Sequence, residues 1–119
     1  MNFIQLGELV LEWADEKDLL HEENAEKQFM KFIEEVFKFK REMQNLIDYM
    51  EYCKETTKKL PKNAAKNMKL EMGDVFVTLI ILCDQLGITP AECLELAYKK
   101  ISKRKGKTIN GVFIKEEDL

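Results

Sequence analysis

Proline and glycine are scarce in this chain, two and five among 119 residues, so few positions force a turn or interrupt a helix. There is one histidine, His21, and the three cysteines, Cys53, Cys83 and Cys93, lack C-x-x-C spacing. That excludes the usual zinc patterns, and the thiols read as buried and reduced rather than paired. No stretch alternates convincingly with period two, which argues against a sheet protein. The longest apolar run, Val75–Cys83, is far too short to span a bilayer, so no membrane partner is expected. Met1–Leu11 lacks a basic start and is followed by Glu12, so no leader is read and a cytoplasmic location is expected. The formal charge of −3 and pI near 5.3 make a nucleic acid polymer an unsuitable partner. The basic cluster Lys103-Arg104-Lys105-x-Lys107 has no interleaved aromatics, and reads as a solvated tail or a phosphate clamp.

What remains is apolar and charged, 45% and 34% of residues respectively, which is the composition of a helical globular chain. The spacing predicts one all-α domain over residues 1–119 with four helices. The first covers about Asn2–Trp13 on Phe3, Leu6, Leu9, Val10 and Trp13. After a charged link, Ala14–Glu23, the second starts at Asn24 as N-cap and runs to about Cys53. Lys54–Lys62 reads as an exposed connection. The third helix spans about Asn63–Leu86, with Gly87 as its stop. Its second half is apolar all round, which calls for burial on every side and points to self-association. The fourth opens on Thr89-Pro90-Ala91-Glu92, read as a capping box with proline in the first turn, and ends near Lys103. The tail Arg104–Leu119 holds an Asn110-Gly111 turn and then an extended Val112-Phe113-Ile114.

Two short acidic patches, Glu34-Glu35 and Glu71-Met72-Gly73-Asp74, interrupt otherwise apolar helical stretches. A carboxylate in such a setting is costly unless a cation neutralises it. At about 100° per residue, Gln28, Lys31, Glu35, Lys38 and Glu42 form one polar stripe, and Asn67, Glu71, Asp74 and Thr78 form another. Two antiparallel helices can bring Glu35 opposite Glu71 and Asp74. An oxygen-only set favours Mg²⁺, with Mn²⁺ as the alternative. The plain alternative for Glu34 and Glu35 alone is a solvated helix face. Gly73, which costs about 1 kcal/mol relative to alanine in a helix interior, has a packing or a functional reason.

The run Gln28-x-x-Lys31-x-x-Glu34-Glu35-Val36, then Glu71-x-Gly73-Asp74-Val75, then Glu92-Cys93-Leu94 and Ala97-Tyr98-x-Lys100-x-x-x-Arg104, resembles the MazG-like nucleotide pyrophosphohydrolases. The similarity extends from Trp13 to Gly111-x-Phe113. It implies an all-α, bundle-like fold that is a homodimer or homotetramer. It also implies Mg²⁺-dependent hydrolysis of nucleoside triphosphates to monophosphates and pyrophosphate. On this resemblance Glu35, Glu71 and Asp74 are metal ligands and Glu34 acts on the attacking water. Lys31, Lys100 and Arg104 are candidate phosphate contacts. Trp13 is a candidate for stacking on a base, with a core anchor as the plain alternative.

The family signature, Glu-Glu-x-x-Glu followed by Glu-x-x-Asp, is broken at its third acid, where this chain has Lys38. Three outcomes stay open. Metal binds with fewer protein ligands and a slower reaction; Glu42, one turn along, substitutes; or Lys38 itself neutralises the carboxylates. The last would make the chain a catalytically degenerate nucleotide-binding or protein-interaction module.

Overall fold

The computed structural model describes residues 1–119, which fall into two compact units, Met1–Gly87 and Ile88–Leu119. The first unit holds three helices: α1 (Phe3–Glu16), α2 (Ala25–Thr56) and α3 (Lys66–Gln85). The second holds α4 (Pro90–Ile101) and a hairpin of β1 (Gly106–Ile109) and β2 (Val112–Lys115). The chain is thus predominantly helical with four α-helices, the all-α class the patterning predicts. No single helix is long and apolar enough to cross a membrane.

Helix α1 begins with a reciprocal capping box between Asn2 and Gln5, at 2.8 and 2.9 Å. This arrangement satisfies two backbone donors that the first turn leaves unpaired. The link that follows turns at Asp18 (φ 59°), which pairs with His21, and passes through a 3₁₀ turn at Glu22–Asn24. Asn24 does not cap α2 as expected: its φ and ψ of −96° and 4° belong to that 3₁₀ turn, and its side chain makes no capping bond. An N-cap side chain reaches the helix amides from an extended backbone, which Asn24 lacks. Helix α2 stops three residues beyond Cys53, where Thr57 turns left-handed (φ 55°). Helix α3 starts at Lys66, later than Asn63, because Pro61–Ala65 forms turns with bonds from Ala64 N–H to the Pro61 carbonyl and from Lys66 N–H to the Asn63 carbonyl. Gly87, at φ +71°, sits just past the end of α3, where its missing Cβ makes that conformation cheap.

The packed centre of the first unit lies between α2 and α3, with α1 laid against α3. Ala14, Cys53, Ile80, Ile81 and Cys83 are buried. Gly7 lets α1 approach, since a Cβ there would meet Ile80 Cδ1 at 3.9 Å. Phe3 packs edge-on to Phe76 at 5.5 Å between ring centres. Gln85 Nε2 donates to the Leu19 carbonyl at 2.8 Å and ties the link to α3. The apolar half of α3 is not covered all round within this chain, because Phe76 keeps 41% of its surface exposed.

In the second unit Thr89 caps α4 by accepting from Glu92 N–H at 3.2 Å, but only this half of the expected capping box forms. Cys93 is exposed, contrary to the expectation that all three thiols are buried; it follows the solvent-facing first turn of α4. The segment read as an extended tail pairs back on itself. Asn110 and Gly111, both at positive φ, make the two-residue turn, and Gly106 faces Lys115 across the ladder. Turns of this kind match the twist of the two strands they join. Gly106 is required by close approach, because a Cβ there would collide with the Ile114 carbonyl oxygen and the Phe113 ring.

Candidate metal centre

The two polar stripes meet. Gln28 on α2 donates its Nε2 to the Thr78 carbonyl on α3 at 3.2 Å. Further along α2, Glu35 meets Glu71 and Asp74, each offering an oxygen within 4.8 Å of the others. Further still, Glu42 and Asn67 line one small depression. The order 28, 35, 42 against 78, 74–71, 67 shows that α2 and α3 run antiparallel with facing stripes.

The three carboxylates differ in setting. Glu35 is buried, its side chain 6% exposed, while Glu71 is half-buried and Asp74 exposed. Two lysines reach the same Glu35 oxygen, Oε1: Lys31 at 3.2 Å and Lys38 at 3.3 Å. Both also pair with Glu34, at 3.5 and 3.6 Å, so α2 presents an alternating cluster of two acids and two ammonium groups. Burial pushes the Glu35 carboxyl up, but the hydrogen bonds and charges of Lys31 and Lys38 together hold it below its ordinary value. Lys31 is raised in turn, chiefly by its hydrogen bond to Glu35 and the charge of Glu34.

The α3 side is different. Neither Glu71 nor Asp74 has a cation within ion-pair distance, and Glu71 Oε2 is buried without any hydrogen-bond partner. A buried carboxylate oxygen left unpaired is costly, and a cation shared with Glu35 and Asp74 would relieve it. The donors are all carboxylate oxygens, which suits a hard divalent ion. The residues present therefore fit such an ion. Thr78 steadies the α3 end, its hydroxyl donating to the Asp74 and Val75 carbonyls at 3.1 and 2.9 Å.

Two depressions adjoin. One, of about 560 Å³, is lined by Asp74, Gly73 and Val77 together with Lys62, Lys66 and Lys69. No Cβ-sized neighbour fills the space over Gly73, so its absent side chain leaves the surface beside Asp74 open. The other, of about 360 Å³, is apolar and is lined by Leu6, Leu9, Val10, Trp13 and again Val77. The three lysines escaped the sequence reading because Lys62 closes what reads as an exposed connection and the other two sit in the first turns of α3. Their signal was the i, i+3 spacing of Lys66 and Lys69, continued to Gly73 on the same face.

Of the other residues singled out by the sequence, Glu34 lies on the exposed side of the α2 cluster, 56% exposed. Trp13, 48% exposed, stands in the apolar depression. Glu42 is outside the carboxylate cluster and so does not take the place of the acid missing at Lys38. Lys38 pairs with Glu34 and Glu35, not with Glu71 or Asp74. Lys100 is exposed on α4 and Arg104 half-buried just after it, both in the second unit.

No curated protein and no solved structure matches the chain. A family model does: the MazG nucleotide pyrophosphohydrolase domain, over residues 40–109. The matched span contains Glu71, Asp74, Lys100 and Arg104, and begins on α2 just after Lys38. Members of that family are nucleotide pyrophosphohydrolases that typically use a divalent metal. With more than half its length inside the match, and with its acids gathered on facing helices, this chain belongs to the MazG nucleotide pyrophosphohydrolase family.

Proposed function

We propose that this chain, acting as one functional domain over residues 1–119, hydrolyses nucleoside or deoxynucleoside triphosphates to monophosphates and pyrophosphate. The observation that carries the reading is the juxtaposition of Glu35, Glu71 and Asp74 within 4.8 Å, with a buried Glu71 oxygen lacking a partner. Those three residues would hold Mg²⁺, or Mn²⁺ in its place. Such an ion, when bound, supplies positive charge that offsets the phosphate oxygens.

The chain's own groups account for the rest. Asp74 edges the lysine-lined depression, so a triphosphate there lies beside the carboxylates, with Lys62, Lys66 and Lys69 offsetting its charge. Val77 joins that depression to the apolar one, where Trp13 offers a ring face to the base. Glu34, exposed and held by Lys31 and Lys38, orients the attacking water and takes its proton on the carboxylate. The water oxygen bonds to the α-phosphorus, the bond from that phosphorus to the bridging oxygen breaks, and pyrophosphate leaves. Lys31, beside Glu34 and Glu35, is a further phosphate contact in this scheme.

Self-association as a homodimer or homotetramer fits the apolar side chains left exposed on α1 and α3 outside that apolar depression, among them Phe3, Ile4 and Phe76. A cytoplasmic setting accords with the exposed free thiol of Cys93.

One observation favours a second reading, a nucleotide-binding module without catalysis: Glu35 already has two ammonium partners. Pyrophosphate release from a panel of NTPs and dNTPs with Mg²⁺ or Mn²⁺ separates the two. Wild type releasing pyrophosphate, and Glu71→Gln losing at least about a hundredfold in rate, supports the enzyme. Release by Lys38→Glu alone supports the degenerate module. Silence from both, with helicity intact, ends the enzymatic reading.

A further inference from the structure

We infer that Lys38 is a tethered cation that limits the centre to a single divalent ion. This rests on the metal-centre reading above and extends it to the number of ions held. The two helices contribute unequal charge. On α2, Glu34 and Glu35 are matched by Lys31 and Lys38, each lysine touching both acids at 3.2–3.6 Å, so that half is formally neutral. On α3, Glu71 and Asp74 bring two negative charges with no cation in ion-pair reach, and the lysines of the adjoining depression make no ion pair with Asp74. The unmatched charge equals that of one divalent ion.

Position sharpens the count. Lys38 is not a loose surface cation: it sits between the two acids of its own helix, on the same Glu35 oxygen that Lys31 takes. A cation approaching Glu34 and Glu35 from the α2 side therefore meets an ammonium group already in place, and like charges at contact distance repel strongly where water is partly excluded. An ion approaching from the α3 side meets Asp74, Glu71 and its unpartnered Oε2 instead. Replacing Lys38 by a neutral residue leaves α2 one charge short of neutrality; replacing it by an acid leaves α2 two charges short, enough for a second divalent ion.

The test is Mn²⁺ binding to the full chain, followed by the free-ion paramagnetic resonance signal and by calorimetry, without nucleotide. Wild type should bind one Mn²⁺. Lys38→Gln should bind one, about tenfold more tightly, and Lys38→Glu should bind two. Two or more ions on wild type overturn the inference. So do Lys38→Gln and Lys38→Glu titrations that match wild type in number and affinity; weakened binding in Glu71→Gln would then show that the centre itself stands. No Mn²⁺ on wild type or either Lys38 variant, with helical circular dichroism retained, overturns both this inference and the metal centre. Lys38→Gln, almost isosteric with the lysine stem, keeps the test decisive if Lys38→Glu does not fold.

Discussion

Gln28 donates its side-chain amide from α2 to the backbone carbonyl of Thr78 on α3, at 3.2 Å, two helical turns from Glu35. Thr78 in turn bonds back to the carbonyl of Asp74. The pair thus fixes how far one polar stripe stands from the other, next to the carboxylates that must converge. Gln28→Ala should cost about 1 kcal/mol in urea unfolding, the usual worth of one such bond. It should also weaken Mn²⁺ binding several-fold, although residue 28 is no ligand. Unchanged Mn²⁺ affinity in a destabilised Gln28→Ala would show that the spacing is set elsewhere.

The lysine-lined depression makes a kinetic prediction. Lys66→Glu combined with Lys69→Glu should raise KM for a nucleoside triphosphate by about tenfold or more while kcat stays within about twofold, the pattern of lost ground-state binding. The same variant should lose much of the salt dependence of KM. If KM and its response to salt are those of wild type, the phosphates lie elsewhere.

His21 gives a prediction in pH. Its imidazole is raised above the ordinary 6.5, first by the hydrogen bond from its ring to Asp18 and then by that carboxylate's charge. The charged form is therefore favoured by folding, and its contribution is fully present below pH 6.5 and fades as pH rises through the folded value. Both side chains are open to solvent, so the effect is small. His21→Ala should lower the urea midpoint slightly at pH 5.5 and leave it unchanged at pH 9. An equal loss at both values would assign the residue a packing role instead.

Gly106→Ala tests the hairpin. A methyl group there runs into the Ile114 carbonyl oxygen and the Phe113 ring, so the Gly106–Lys115 end of the ladder must open. Amide exchange at Lys107, Ile114 and Glu116 should accelerate, the last because Glu116 N–H bonds to the Lys105 carbonyl at 2.8 Å. Protection equal to wild type at these three amides would mean that the strands part enough to seat the methyl.

The stripes were legible because helical spacing is rigid: once Glu35 and Glu71 lie on helices, three-and-four spacing decides which side chains share their faces. Asn67, Thr78, Gln28 and Glu42 then paired as an antiparallel arrangement requires. Caps were less legible. Thr89 was found from a proline beside it, but Asn24, the better-known kind of capping residue, was drawn into a 3₁₀ turn that no local pattern announced. The box that does form uses Gln5 at the chain start. In the tail, Asn110-Gly111 announced a turn and Val112–Ile114 an extended run. The first strand stayed hidden because Gly-Lys-Thr-Ile is four residues long and follows a basic cluster that reads as solvated. Lys62, Lys66 and Lys69 were hidden for a related reason: an exposed lysine has no sequence mark that tells a phosphate contact from a solubilising charge.

Trp13 is the sole tryptophan, and it stands half exposed in an apolar hollow that shares Val77 with the lysine-lined one. The protein therefore carries one tryptophan fluorophore, in the hollow to which the proposed function assigns the base. Its emission can register occupancy without a label, a coupled assay or turnover, and can do so for nucleoside, triphosphate and intact nucleotide separately.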